Sequence, residues 1–93
     1  MTDWTTAICQ RAVDTWGKGS QLIICMEEMA ELTKELSKNL RGQDNDLDIA
    51  EEVADVEIML EQLKLIFDIH TDVECVKNDK LIRLDQRTKE AGR

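Results

Sequence analysis

The sequence predicts an all-α domain of four helices. Proline is absent and only four glycines occur in 93 residues, so long helices can run without interruption. Apolar residues recur every three or four positions over several segments, which is the period of a helix with one buried face. Short polar breaks between these segments are typical of turns. A chain this short leaves no room for a second domain, so residues 1–93 are expected to form one.

The first two helices are predicted on either side of a glycine-containing break. The first helix is capped by Thr2 and ends near Trp16, and residues 17–20 interrupt it. Ser20 is the predicted N-cap of a second helix over residues 21–40. Residues 41–46 form the clearest loop in the sequence. The apolar stripe of the second helix is Leu22, Cys25, Met29, Leu32, Leu36 and Leu40.

The last two helices are predicted on either side of a break at His70. The third helix starts between Asp46 and Asp48, ends near Asp68, and can be capped at its C-terminal end by His70. A capping box over residues 71–74 begins the fourth helix, which frays over residues 89–93. The stripe of the third helix is Ile49, Val53, Val56, Leu60, Leu63 and Phe67, and the fourth helix carries Val73, Val76, Leu81 and Leu84.

Composition limits the possible partners and the compartment. A net charge of −8 argues against nucleic acid, because phosphate contacts need a basic surface. Three cysteines without metal-like spacing indicate a reducing compartment, so we expect a cytoplasmic protein. Charges interrupt every apolar stretch, which argues against a membrane span. The core of so short a chain is small, and we expect a homodimer or homotetramer to complete it.

Two carboxylate pairs stand out, Glu28 with Glu31 and Glu52 with Asp55. A separation of three places both members of each pair on one helix face. At about 100° per residue, Glu28 and Glu52 fall inside the apolar stripes of the second and third helices. By contrast, Glu57 and Glu61 fall on the opposite, polar face.

Carboxylates that face a core need a compensating charge. Four of them facing one another would repel strongly, and all-oxygen ligation suits Mg²⁺ or Mn²⁺. The competing interpretation is a solvated helix face with ordinary charge pairs. Glu27 lies at the edge of the stripe, where it either serves as a base or is simply solvated.

The fourth helix offers a possible cationic face. Lys80 falls between Val76 and Leu84 on the helical wheel, and Arg83 follows one turn later. These side chains either contact phosphate or extend past a short apolar face into solvent. The residues alone favour the second interpretation.

The paired motif resembles the EExxE…ExxD pattern of MazG-like nucleoside triphosphate pyrophosphohydrolases. Here it reads Glu27-Glu28-Met29-Ala30-Glu31, followed by Glu52-Val53-Ala54-Asp55. The segment Asn78-Asp79-Lys80-Leu81-Ile82-Arg83 is similar to the N-x-K-x-x-R element on the last helix of that superfamily. The resemblance covers residues 16–87, and dimeric dUTPases and dCTP pyrophosphatases belong to the same superfamily.

The resemblance implies a four-helix MazG-like bundle, oligomerisation and Mg²⁺-dependent hydrolysis of an NTP or dNTP to the monophosphate and pyrophosphate. Glu28, Glu31, Glu52 and Asp55 would hold the metal, and Glu31 or Glu27 would orient the attacking water. Lys80 and Arg83 would contact the phosphates, with Asn78 near the nucleotide. The chain lacks the aromatic residues that some relatives stack on the base, so the resemblance does not indicate which base is preferred.

Two other classes of function are compatible with the same residues. The first is a non-catalytic acidic helical module that binds a basic protein partner, which the net charge of −8 favours. The second is a structural homodimer that uses cations only for folding. Metal stoichiometry separates them, because an acidic binding surface has no stoichiometric Mg²⁺ site.

Overall fold

The computed structural model describes residues 3–92, except for the side chain of Asp3, and these residues form four α-helices without a β-strand. The predicted all-α class and the number of helices are therefore confirmed. The predicted cap Thr2 lies outside the described residues. None of these helices combines the length and apolar composition that crossing a bilayer requires. The helices are α1 (Asp3–Trp16), α2 (Lys18–Leu40), α3 (Asp46–Phe67) and α4 (His70–Ala91).

A single glycine separates α1 from α2. Gly17 has φ 90°, a conformation that side chains disfavour, and its N–H donates to the carbonyl of Val13 at 2.8 Å. The N–H of Gln21 donates back to the Gly17 carbonyl at 3.1 Å, so α2 begins at Lys18. The predicted cap Ser20 is therefore wrong, because the turn closes on Gly17 and Ser20 lies inside the helix.

Asn45 fastens the loop between α2 and α3. Its Nδ2 donates to the Glu35 carbonyl at 2.9 Å and to Glu35 Oε2 at 3.1 Å, and its Oδ1 accepts from Asn39 Nδ2 at 3.3 Å. Lys38 Nζ contacts the other Glu35 oxygen at 3.2 Å. Asn45 is buried at the start of α3, so these bonds tie the helix to the last turns of α2.

A two-residue turn joins α3 to α4. Asp68 adopts the left-handed conformation with φ 52°, and its N–H donates to the Leu65 carbonyl. Val73 N–H donates to the Ile69 carbonyl at 2.9 Å, so α4 begins at His70. The predicted capping box at Thr71 is wrong because Thr71 already lies inside the helix, and Asp68 rather than His70 ends α3.

The buried core is small and sits where α1, α2 and α3 meet. It consists of Cys9, Val13, Cys25, Val56 and Met59. Beside it, Gln21 Nε2 donates to Gln62 Oε1 at 2.6 Å. Much of the predicted stripe remains on the surface instead, because none of the four helices within residues 3–92 covers that side of α2 and α3. The exposed members are Met29, Leu36, Leu40, Val53, Leu60 and Phe67.

Helix α4 contacts α3 but neither α1 nor α2 within the described chain. Apart from His70, the first residue of α4, Val73 is the one side chain between residues 70 and 92 that is not exposed. The radius of gyration is 16.2 Å, whereas a compact domain of this length has about 12 Å. Most of α4 therefore extends away from the packed helices. Its exposed apolar side chains are Val76, Leu81, Ile82 and Leu84.

Replacement of Asn45 tests the anchoring of α3. We expect Asn45→Ala to lower the free energy of unfolding by about 1–3 kcal/mol, because it removes the hydrogen bonds from the buried Asn45 side chain to the Glu35 carbonyl and to Glu35 Oε2. Asp44→Ala is the control, since it changes an exposed neighbour in the same loop and should stay within about 0.5 kcal/mol of wild type. Urea unfolding measures both variants, and equal stabilities would contradict the role of Asn45.

Candidate metal centre

The acidic cluster lies on the antiparallel α2–α3 pair, the most extensively packed pair of helices among residues 3–92. Gln21 bonds Gln62 at one end of this pair, and Glu35 contacts Asn45 at the other. Along α2, Glu28 lies between these two contacts. The antiparallel pairing therefore aligns Glu28 with the acidic residues near the middle of α3.

Three carboxylates meet at this position. One oxygen each of Glu28, Glu52 and Asp55 lies within 4.8 Å of the other two, and all three residues are half-buried. Oε2 of Glu52 is shut off from solvent and has no hydrogen-bond partner in the protein. The cluster therefore concentrates negative charge around an oxygen that lacks a donor.

The cluster disfavours ionisation of its own members. Burial, followed by the negative charges of Asp55 and Glu52, raises the pKa of Glu28. Burial also raises the pKa of Glu52, and the charges of Asp55 and Glu31 add to the effect. The shifts of both pKa values therefore show that the cluster opposes the accumulation of negative charge.

The donor set fits a hard divalent cation. Its three oxygens come from carboxylates, which Mg²⁺ and Mn²⁺ prefer, and such an ion would give Glu52 Oε2 the partner that the protein does not supply. Three carboxylates leave further coordination positions for water or for phosphate oxygens. The residues present therefore fit the expected ion.

Two of the sequence-predicted acids lie outside this set of three. Glu31 is exposed, yet its charge contributes to the raised pKa of Glu52, so it lies beside the cluster. Glu27 is also exposed. Either side chain is accessible to a water molecule, as the predicted water-orienting role requires.

The predicted phosphate-contacting residues lie on α4. Lys80, Arg83 and Asn78 are exposed, and Lys80 borders an apolar face of α4 with Leu81 and Leu84. The small cavity beside the acids is lined instead by α2 and α3. Helix α4 makes no contact with α2 in the described chain. The single chain therefore leaves these residues outside the lining of the acid cluster.

Other side chains at the site were not found from the sequence. Ile24, Ile58 and Met59 join Glu28 and Asp55 around a cavity of about 100 Å³. Apolar residues at helical spacing give no signal that separates a cavity wall from ordinary core.

The prediction that Glu61 lies on a solvated face is wrong. Its side chain is 24% exposed and contacts Lys64 and His70, because the start of α4 covers that part of α3. The exposure of Glu57 agrees with the prediction.

Cysteine chemistry is not favoured near the core. Burial and the charge of Glu61 raise the pKa of Cys9, and burial raises the pKa of Cys25. Both side chains therefore remain protonated thiols, which are poor nucleophiles and poor ligands.

Comparison of the chain with protein-family models, with curated proteins and with solved structures finds no match. The arguments about function therefore depend on the site and on the sequence motifs.

Neutralisation of Glu28 tests the repulsion within the cluster. In EDTA at pH 7 we expect Glu28→Gln to unfold at a higher temperature than wild type, because it removes a charge from the repelling set. The pKa of Glu28 is raised in the folded state, so ionised Glu28 destabilises the fold. This destabilisation is relieved as Glu28 becomes protonated while the pH falls toward 4.5. The gap between variant and wild type should therefore narrow from pH 7 to pH 5.

Glu27→Gln is the matched control for this measurement. It removes the same charge from the neighbouring exposed position and should change the melting temperature less. A Glu28→Gln variant that melts below wild type at pH 7 would contradict the assignment of a repelling cluster.

Proposed function

We propose that this protein is a nucleoside triphosphate pyrophosphohydrolase that uses Mg²⁺, with Mn²⁺ as a substitute. The observation that carries the proposal is the meeting of Glu28, Glu52 and Asp55 from two consecutive helices around an oxygen without a donor. The EExxE…ExxD and N-x-K-x-x-R patterns supply the reaction class by resemblance. The substrate is an NTP or dNTP, and the products are the monophosphate and pyrophosphate.

The chain's own residues divide the work. Glu28, Glu52 and Asp55, together with Glu31, hold the ion, which when bound offsets the negative charge of the triphosphate. Glu31 or Glu27 accepts a hydrogen bond from the attacking water and turns its lone pair toward a phosphorus atom. The reaction otherwise needs positioning and charge stabilisation, with little covalent participation by the protein.

The cations of α4 complete the site in this proposal. Lys80 and Arg83 donate to phosphate oxygens, and Asn78 lies near the nucleotide. These residues are exposed, and within residues 3–92 their helix contacts only α3. This supports a site in which a second copy of the chain supplies Lys80 and Arg83 to the acid cluster. Residues 77–91 contain five basic and three acidic residues, whereas α3 contains seven acidic and one basic. The outer part of α4 therefore complements the α3 surface of a partner.

The proposed assembly is a homodimer or a homotetramer. The exposed apolar side chains of α1, among them Trp4 and Trp16, and those of α4 provide the surface that such an assembly would bury. The proposed cytoplasmic location depends on the free cysteines, Cys9, Cys25 and Cys75.

The products of hydrolysis test the reaction class. Incubation with the eight common NTPs and dNTPs in Mg²⁺ should give pyrophosphate from at least one of them, as measured by phosphorus NMR. Orthophosphate together with a nucleoside diphosphate would overturn the assignment, because it reports cleavage of a different phosphate bond.

Glu52→Gln should lower the rate by about 10²-fold or more, the size of effect seen when one strong electrostatic contact to a transition state is lost. Glu57→Gln is the matched control, since it changes an exposed acid on α3 outside the cluster and should retain activity. Calorimetric titration with Mg²⁺ distinguishes the alternatives. Stoichiometric binding without turnover indicates a structural cation site, and absence of both favours a module that binds a basic partner.

Light scattering at micromolar concentration tests the assembly. A single chain has a mass of 10.7 kDa, and we expect the active species to have at least twice that mass. Ile82→Glu and Leu84→Glu place charges on the exposed apolar part of α4 and should shift the mass toward the monomer. An active monomer would show that one chain forms the complete site.

A further inference from the structure

A polar contact joins α4 to α3 directly after the turn. Nε2 of His70, the first residue of α4, lies 3.5 Å from Oε2 of Glu61 on α3. Both atoms are shut off from solvent, and neither has a hydrogen-bond partner as placed. Buried polar atoms are rarely left unpaired in this way, because each one loses its hydration without compensation. An N–H at His70 Nε2 is the donor that this contact with Glu61 Oε2 can use, and donation is stronger when the ring is protonated.

The surrounding charges keep Glu61 ionised. Burial acts to raise the pKa of Glu61, but the hydrogen bond from Lys64 at 3.0 Å and the charges of Lys64 and His70 lower it overall. A carboxylate with a lowered pKa stays negative between pH 5 and 8. Imidazole groups, by contrast, change charge within that interval. His70 supplies the imidazole of this contact, and it is the one histidine in the sequence.

Other titratable groups at the junction do not supply this proton. Glu57, Lys64 and Lys77 line the cleft between α3 and α4, and Asp68 and Asp72 flank the turn. On α1, burial raises the pKa of the Cys9 thiol, and the nearby charge of Glu61 raises it further, so Cys9 stays neutral. The reference pKa values of lysine and carboxylate side chains lie outside this interval, whereas that of imidazole lies within it.

We infer that Glu61 and His70 form a proton-dependent clasp that sets how firmly α4 is held against α3. Val73 is the other half-buried side chain of α4 within the described residues, so little apolar packing competes with the clasp. An imidazolium donates a charge-assisted hydrogen bond to Glu61, about twice as strong as a neutral one. The clasp is therefore stronger as the pH falls and weaker as it rises, because a neutral imidazole donates a weaker hydrogen bond. It does not depend on the proposed hydrolase activity.

Amide hydrogen exchange of the whole protein tests the clasp. Protection of the α4 amides, corrected for the intrinsic pH dependence of exchange, should rise about tenfold or more between pH 8 and pH 5.5, the change that one charge-assisted hydrogen bond produces. The α1 and α2 amides serve as internal references. Titration of the acid cluster would change their protection as well, whereas the clasp should change the protection of α4 alone.

Matched variants separate the clasp from other pH effects. His70→Gln has an amide that donates at every pH, and Glu61→Gln removes the negative partner, so both should lose the α4-specific change. Glu57→Gln removes a charge one turn away and should keep it. Far-UV circular dichroism confirms that each variant folds. The proposal would be overturned if the pH-dependent change in α4 protection were the same in His70→Gln as in wild type. It would also be overturned if wild type showed no such change.

Discussion

Glu28, Glu52 and Asp55 bring three carboxylates together on the face along which α2 and α3 pack most extensively. Their repulsion opposes the packing on which the fold depends. Hydrogen bonds hold the pair together at both ends, through Gln21 with Gln62 and through Asn45 with Glu35. A bound divalent cation would replace the repulsion among the three carboxylates with attraction between each carboxylate and the ion. Folding and cation binding are then coupled, because a partner that binds only the folded chain stabilises it.

The acidic face also explains why apolar surface remains exposed. Carboxylates occupy positions that would otherwise contribute to the core, so five buried apolar residues hold the first three helices together. Helix α3 meanwhile carries apolar side chains all around, and Val53, Ile58 and Leu60 remain exposed. A helix with this pattern is normally covered on several sides. Within residues 3–92, α1 and α2 cover part of α3, and α4 contacts α3 near the turn through His70 and Glu61.

Helix number, helix type and the alignment of Glu28 with Glu52 and Asp55 could be predicted from periodicity, since all three depend on local spacing and on an antiparallel pair. Helix starts were predicted less well. The second helix begins directly after Gly17, which is earlier than a cap at Ser20 would allow. The backbone conformation of Gly17 outweighed the favourable cap residue. The role of Asn45 and the burial of Glu61 could not be predicted, because each depends on a neighbour brought close only by tertiary structure.

The turn between α3 and α4 favours a second copy as the source of the α4 cations. Only Asp68 and Ile69 separate the two helices, and the left-handed Asp68 fixes the direction in which α4 leaves. Folding α4 back along its own α2 would require the backbone of this turn to change conformation. Packing α4 on a partner, as proposed, does not require that change. In the proposed assembly, the basic outer turns of α4 would lie near a partner's acidic α3. The geometry of the two-residue turn thus supports the proposal that α4 of one chain completes the site of another.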